Sequence, residues 1–349
     1  MGSVKDLEII EKPTTDIMGV GRFHFSDRYS VFDWGEMPDH IEGKGAALCL
    51  MGAYCFEKLA ETGVKTHYRG LVDKTGRLVT FKEIHQPTST MEVNLVNVYQ
   101  PETRTAQGKV TYDYSLYTSS LKNCLIPLEI IYRNGLPEGS SVFKRLEQGK
   151  TTLKNLGLDH TPKPGERLAK PIFDVSTKLE EADRYVTWEE AKKIAGITNI
   201  ELTAVKSVLA KVNDSITELA CNAKLQNEDG KIELAFDSQR KLMIVDVVGT
   251  LDECRFTYDG VHVSKEVARQ FYKKTDWYHD VEVAKKVAEA KGVRDWKVLC
   301  KSQPQRLDSQ LKTLISGMYH AAANELTHRS LFEAPSLAEI IKQYKEYTS

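Results

Sequence analysis

Between residues 201 and 221, Leu202, Val205, Val208, Leu209, Val212, Ile216 and Leu219 keep helical spacing, which predicts a long helix with one buried face. Residues 45–63, "GAALCLMGAYCFEKLAETG", predict another helix, rich in Ala and Leu and ended by Gly63. Thr187-Trp188-Glu189-Glu190 has capping-box spacing and predicts a helix running to about Ile194. From Ser264 onward the pattern is helical, interrupted near "SQPQ" (302–305) and at Pro335, with Ser336 and Glu339 capping a last helix. Other segments alternate with a shorter period. "THYRGLVD", "RLVTFKEI" and "TMEVNLVNVYQ" predict an antiparallel sheet in the first part of the chain. "NCLIPLEIIYRNGLPEGSSVFKRL" predicts an apolar strand, a break at Arg133-Asn134-Gly135 and a Gly-Ser-Ser turn, and residues 148–170 an exposed excursion. The fold class is α+β, with helices concentrated in the second half.

One stretch departs from simple patterning. In "GKIELAFDSQRKLMIVDVVGTLDECRF" (230–256), an apolar run carries Asp246 at its centre. An ionised carboxylate in such a run is expensive unless it is paired or metal-bound. A four-residue loop at 237–240 would place Lys231 opposite Asp246, with Glu233 diagonal to it, so that all three share one face. A slip of one residue would move Asp246 to the other face. The residues alone leave two readings open: an exposed salt bridge, or two carboxylates holding Mg²⁺ beside a lysine that meets an anionic substrate.

Composition narrows the class. The chain has 349 residues, 28% charged and 41% hydrophobic, with a net charge of −1, so a broad basic surface for nucleic acid is not expected. No run reaches membrane-span length, and "MGSVKDLEIIEK" lacks a signal peptide's apolar core, which predicts a cytoplasmic protein with no membrane partner. Six scattered cysteines without a C-x-x-C pair predict free thiols rather than zinc or disulfides.

Four motifs in order carry a resemblance. "FSDRYSVFDWGEMPDHIEGKG" resembles "SDRISAFD…IPGKG", "IPLEIIYRNGLPEGS" resembles "IPLEVVVRN…GS", and "PIFDVSTKLEE" resembles "PIFTPSTKAEE". The quoted stretch resembles a Lys-x-Glu strand followed by "DE…TPDSSRF". Together these resemble the SAICAR synthetase family, most closely an archaeal-type branch. The resemblance implies a two-lobed fold with antiparallel sheets, an ATP-grasp-like second lobe and a helical C-terminal extension. The expected divisions are 1–125, 126–262 and 263–349. It also implies an ATP-dependent ligase that joins L-aspartate to the carboxylate of the imidazole ribonucleotide CAIR through an acyl phosphate, with ATP and Mg²⁺ as cofactors. A homo-oligomer is compatible with it.

Carried over by position, the resemblance implies that Glu233 and Asp246 hold Mg²⁺–ATP and that Lys231 and Arg255 act at the reacting centre. Arg133 with Ser140, or equally Ser141, would grip the ribonucleotide phosphate. Lys178 would contact substrate, with Asp183 as a looser match and Arg28 as a candidate lining residue. Asp27 and Arg28 could instead fix their loop, Arg255 could pair with Asp252, and Lys44 could face substrate or solvent.

Two departures stand out. The family's opening "GKxRxVY" hairpin looks shortened, which leaves Lys12 and Arg22 to hold the triphosphate, and Val247 stands where the family has a second acid. Two alternatives follow from these departures: a same-fold ligase acting on another carboxylate, or a nucleotide-binding regulatory protein without chemistry.

Overall fold

A computed structural model describes residues 4–106, 109–293 and 295–349. Strands β1 (Lys5–Glu11), β2 (Gly19–Phe25), β3 (Tyr68–Val72), β4 (Leu78–Val79) and β5 (Thr90–Leu95) form an antiparallel sheet in the order β1-β2-β5-β3-β4. A two-stranded ribbon follows, made of β6 (Glu102–Ala106) and β7 (Lys109–Asp113). The second large sheet contains β8 (Cys124–Leu136), β9 (Glu166–Thr177), β10 (Gln226–Phe236), β11 (Leu242–Val245), β12 (Cys254–Tyr258) and β13 (Val261–His262). Its order is β13-β12-β10-β8-β9, with β11 added to β10.

The helices are α1 (Lys44–Glu61), α2 (Ser141–Glu147), α3 (Leu153–Leu156), α4 (Trp188–Ile194), α5 (Asn199–Asn222), α6 (Glu266–Tyr272), α7 (Asp276–Lys291), α8 (Ser309–Thr327) and α9 (Leu337–Thr348). Helix α5 buries Leu202, Val205, Leu209, Val212, Ile216 and Leu219, as its spacing predicts. Its capping box is Thr198 with Glu201, and Glu201 also holds Arg240 at 2.7 Å, which fastens the β10–β11 turn to the helix. At Thr187 only half of the predicted box forms, because Glu190 pairs with Arg184 at 2.6 Å.

The structure corrects two sequence expectations and adds two elements that the sequence reading did not name. Residues 5–25 form a β-hairpin, which lacks a long apolar run because Lys5, Asp6, Glu8 and Glu11 are scattered through the mostly exposed β1. Arg133-Asn134-Gly135 does not break β8; the strand runs through it, with a register shift against β9 that absorbs the irregularity. The excursion at 148–170 is largely exposed, as expected, and contains α3 and the start of β9. Finally, β10 and β11 pair Glu233 with Val245, one residue away from the expected register, and β11 ends before Asp246.

Asp246 therefore lies outside the strand, in a left-handed conformation with φ 61°. That turn decides where its carboxylate points. His67 fixes it: Nε2 lies 3.0 Å from the Asp246 carbonyl, while Nδ1 lies 3.2 Å from the carbonyl of Asn94 on β5. A neutral imidazole carries one N–H, so His67 donates to one of these two carbonyls and only packs against the other. Burial pushes His67 down to about 4 despite those contacts, so it is neutral near neutral pH.

Helix α8 fastens the first sheet's helix to the second sheet. Ser316 Oγ donates to the Glu42 carbonyl at 2.6 Å, and Tyr319 OH donates to Asp252 Oδ1 at 2.7 Å. Asp252 in turn holds the fully buried Lys44 at 2.8 Å. Gly43, with φ 70°, leaves no room for a side chain, since a Cβ there would lie 2.0 Å from His320 Nε2.

Candidate active site

Side-chain alternation gives the second sheet two unlike faces. Ile130, Tyr132, Ile232 and Leu234 turn into the core. Glu129 and Arg133 from β8 and Asp229, Lys231 and Glu233 from β10 line the opposite face, where Arg133 stands opposite Asp229 and Glu129 opposite Glu233. Strand β12 adds Arg255, opposite Asp229. A cleft of about 440 Å³ runs over this face, from Glu129, Lys231 and Glu253 to Arg133, Arg255 and Arg269.

At the first end, two carboxylates stand directly across the sheet, an arrangement that destabilises unless cations intervene. Lys178 intervenes, 3.2 Å from Glu129 and 2.6 Å from Glu233. Lys231 lies 2.9 Å from Glu129 and 3.3 Å from Glu253. Lys5, reaching over from β1, lies 2.6 Å from Asp246. Burial and the Asp246 charge push Glu233 up to about 7. Asp246 moves the opposite way: burial acts to raise it, but Lys5, Lys231 and Lys178 outweigh burial and hold it ionised. Burial likewise opposes the charge on Lys231, and Glu253, Glu129 and Glu233 override it, so its ammonium stays protonated.

At the other end, Arg133 is 3% exposed and donates to Asp229 at 3.3 Å, Ser141 Oγ at 3.1 Å and Tyr185 OH at 3.1 Å. Arg255 Nε donates to Asp229 at 2.8 Å, so one carboxylate orients two guanidinium groups. The structure separates the two serines. Ser141 faces Arg133 and the cleft, whereas Ser140 is buried and accepts from the Val142 amide as the N-cap of α2.

Glu233, Asp246, Lys231, Arg255, Arg133, Ser141 and Lys178 are brought together on or beside this face. Asp183 stands exposed at the rim, where partial desolvation and the Glu129 charge raise its carboxyl. Four of the residues weighed lie elsewhere. Arg28 is engaged by Asp6 at 2.7 Å and Ser26 at 2.8 Å, and Asp27 caps the Gly43 and Gly45 amides, so both fix their loop. Arg22 alternates away from Phe23, whose ring Lys5 covers, and pairs with Glu92 at 3.3 Å on the opposite face. Lys12 is exposed in the β1–β2 turn. Arg255 pairs with Asp229 rather than Asp252, because Asp252 is taken by Lys44 and Tyr319. Val247 is 4% exposed and packs towards Gly52 in the core, outside the cleft.

Sequence reasoning missed Lys5, Glu129, Glu253, Lys265 and Arg269. Glu129 carries the same signal as Asp246, an acid inside an apolar run. Lys265 and Arg269 sit four residues apart at the start of α6, which puts them on one face. With Gly2 set on the glycine of "GKxRxVY", Lys5 falls at the arginine, but Ser3 replaces the lysine and Glu8 the tyrosine, so the pattern gave little signal for it.

The hard oxygen donors of Glu233 and Asp246 suit Mg²⁺. Glu233 Oε1 is buried and meets Lys178 Nζ at 2.6 Å, so a metal ion would take the place of that ammonium. No three His, Cys, Asp or Glu side chains converge as a metal cage among the described residues. A nucleotide-borne Mg²⁺ typically takes only one or two protein carboxylates, so the pair is sufficient.

The α+β scaffold thus carries a cleft whose arginines, lysines and serine can bind anionic oxygen groups. The sequence profile of SAICAR synthetase matches residues 13–289. A protein of Archaeoglobus fulgidus, assigned by inference as a phosphoribosylaminoimidazole-succinocarboxamide synthase, is 47% identical over 99% of each chain. The Thermoplasma acidophilum phosphoribosylaminoimidazole-succinocarboxamide synthase is 35% identical over 74% of this chain and 79% of its own. Among solved structures, the Saccharomyces cerevisiae SAICAR synthase complexed with SAICAR superposes with a TM-score of 0.61 at 20% identity, covering 94% of this chain and 93% of its own. A SAICAR synthetase in complex with ADP superposes at 0.55 and 20% identity, covering 88% and 99%. The chain belongs to the SAICAR synthetase family.

Proposed function

We propose that this chain is the ATP-dependent ligase that joins L-aspartate to CAIR, giving SAICAR, ADP and phosphate. A carboxylate is a poor electrophile, so its oxygen first takes the γ-phosphoryl group, breaking the bond to ADP. The aspartate amine then attacks the acyl carbon, loses a proton and expels phosphate. Such chemistry needs alignment and charge neutralisation more than a protein nucleophile.

In this reading Arg133, Arg255 and Ser141 grip the ribonucleotide phosphate, a guanidinium fork matching its oxygens. Lys231 and Lys178 face the reacting carboxylate and the transferred phosphoryl group. Lys5, rather than Lys12 or Arg22, covers the triphosphate. Mg²⁺ held by Glu233 and Asp246 would neutralise phosphate charge. Leu125, Ala235, Met243 and Val245, with Met18 and Leu179 packed against them, form a separate apolar cluster farther along the same strands and would receive the base. We place the enzyme in the cytoplasm, a reading supported by its free cysteines; no helix among the described residues is long and apolar enough to cross a membrane.

The observation that carries this reading is one sheet face with an Arg–Ser grip in a cleft at one end and, at and beside the other end, three lysines among four acids. The test is phosphate release by the purified protein with ATP, Mg²⁺, CAIR and L-aspartate, omitting each in turn. Release is expected only from the complete mixture, with SAICAR as the product. Aspartate-independent release, or no SAICAR, would refute the ligase.

A further inference from the structure

Glu233 and Asp246 each hold a lysine. Lys178 Nζ lies 2.6 Å from Glu233 Oε1 and Lys5 Nζ lies 2.6 Å from Asp246 Oδ1. These contacts are largely shielded, with the lysine side chains 31% and 17% exposed and their acids 8% and 21%. The lysines come from different sheets: Lys5 opens β1, and Lys178 follows β9. Neighbouring carboxylates repel, more strongly as water is excluded, and the two ammonium groups offset that repulsion.

A divalent ion cannot simply be added to this arrangement. An ammonium and a divalent cation sharing one carboxylate repel each other at contact distance. The lysines must re-pair, and the anions that arrive with the metal are the nucleotide's phosphate oxygens. We propose that Lys5 and Lys178 are exchangeable counter-cations: they hold the two carboxylates while no metal is present and pass to the triphosphate when metal and nucleotide enter together. The inference rests on Glu233 and Asp246 being the metal carboxylates. It predicts weak binding of metal alone, since two displaced ammonium groups then meet no new anion.

Lys231 provides the internal comparison, because its partners are Glu129 and Glu253 rather than the metal pair. Mn²⁺ is the probe, with free Mn²⁺ read by electron paramagnetic resonance, with and without a non-hydrolysable ATP analogue. Lys5→Met and Lys178→Met are expected to bind Mn²⁺ alone at least about tenfold more tightly than wild type, and Mn²⁺–nucleotide more weakly. Lys231→Met removes a charge that also acts on Glu233 and Asp246 but makes no ion pair with either, so its gain for Mn²⁺ alone should be clearly smaller than those at Lys5 and Lys178. Equal gains at all three lysines, which would mark a remote charge effect, or no gain at Lys5 and Lys178, would overturn the proposal. Thermal melts matched to wild type qualify each variant, with Lys5→Gln and Lys178→Gln replacing any that fails to fold. The underlying assignment fails separately: Glu233→Gln and Asp246→Asn binding Mn²⁺–nucleotide as wild type would remove the metal pair itself.

Discussion

Asp252→Asn probes the most deeply buried charge pair described above. Lys44 is 0% exposed and Asp252 5%, with 2.8 Å between them and Tyr319 OH donating to the second carboxylate oxygen. The substitution keeps the shape and removes the negative charge, leaving an ammonium without a counter-charge in the interior. Breaking a buried pair in this way costs about 3–5 kcal/mol. Removing both charges is far cheaper, so Lys44→Met combined with Asp252→Asn should recover about 2 kcal/mol or more of that loss. Urea unfolding at pH 7, followed by far-UV circular dichroism, measures all three variants. Acidification supplies a second arm. Burial acts to raise the Asp252 carboxyl, but the charges of Lys44 and Lys265 and the hydrogen bonds from Lys44 and Tyr319 hold it well below the usual range. A carboxyl depressed in the fold contributes stability above its unfolded value, near 4, and loses it as pH falls. The gap between wild type and Asp252→Asn should therefore be flat above about pH 5 and close below about pH 4. A loss under about 1 kcal/mol for Asp252→Asn, or strict additivity in the double variant, would refute the reasoning.

Ser141→Ala should raise KM for the ribonucleotide about tenfold without lowering stability. Ser140→Ala should cost about 1 kcal/mol through its lost N-cap and leave that KM nearly unchanged; initial rates and urea midpoints separate the two. Arg22→Met should change KM for ATP by less than about twofold in steady-state kinetics, since Arg22 pairs with Glu92 on the face away from Lys5. His67 carries a pH signature: its imidazole titrates near 4 in the fold against 6.5 in the unfolded chain. Stability from this group should be full above 6.5 and decline between 6.5 and 4, by roughly 3 kcal/mol in total. His67→Gln should abolish that part of the decline in a pH series of urea midpoints.

Helices were legible in the sequence wherever a long face repeats, as in α1, α5 and α8, because burial of one stripe leaves a periodic trace. The sheet face was legible in its residue types. Lys231 and Glu233 share a face whatever the register, since they are two apart on one strand. Register itself was not legible. Loop length suggested one pairing, but Arg240, anchored by Glu201 on α5, fixes another, and that contact spans 39 positions. Asp246 reached Lys5 for a reason no alternation rule contains, its left-handed conformation beside His67. Arg22 misled because its charge resembled the missing phosphate lysine, while strand parity sends it to the other face. Glu129 was missed although it obeyed the rule that exposed Asp246; the rule was applied to one strand and not to its neighbour.

Helix α8 has a consequence for how the molecule is made. Asp252 follows Lys44 by 208 residues, and Tyr319 follows Asp252 by another 67. The ribosome thus releases a lysine destined for complete burial long before either neighbour that accommodates it, and chains fold broadly in the order they emerge. The two ends of the cleft can take shape as β8 to β12 appear, yet the clasp joining the "IEGKG" loop to the "TLDECRF" turn is delivered last. A transcript ended just after residue 289 would encode the whole matched family segment and omit the helix that draws two of its motifs together.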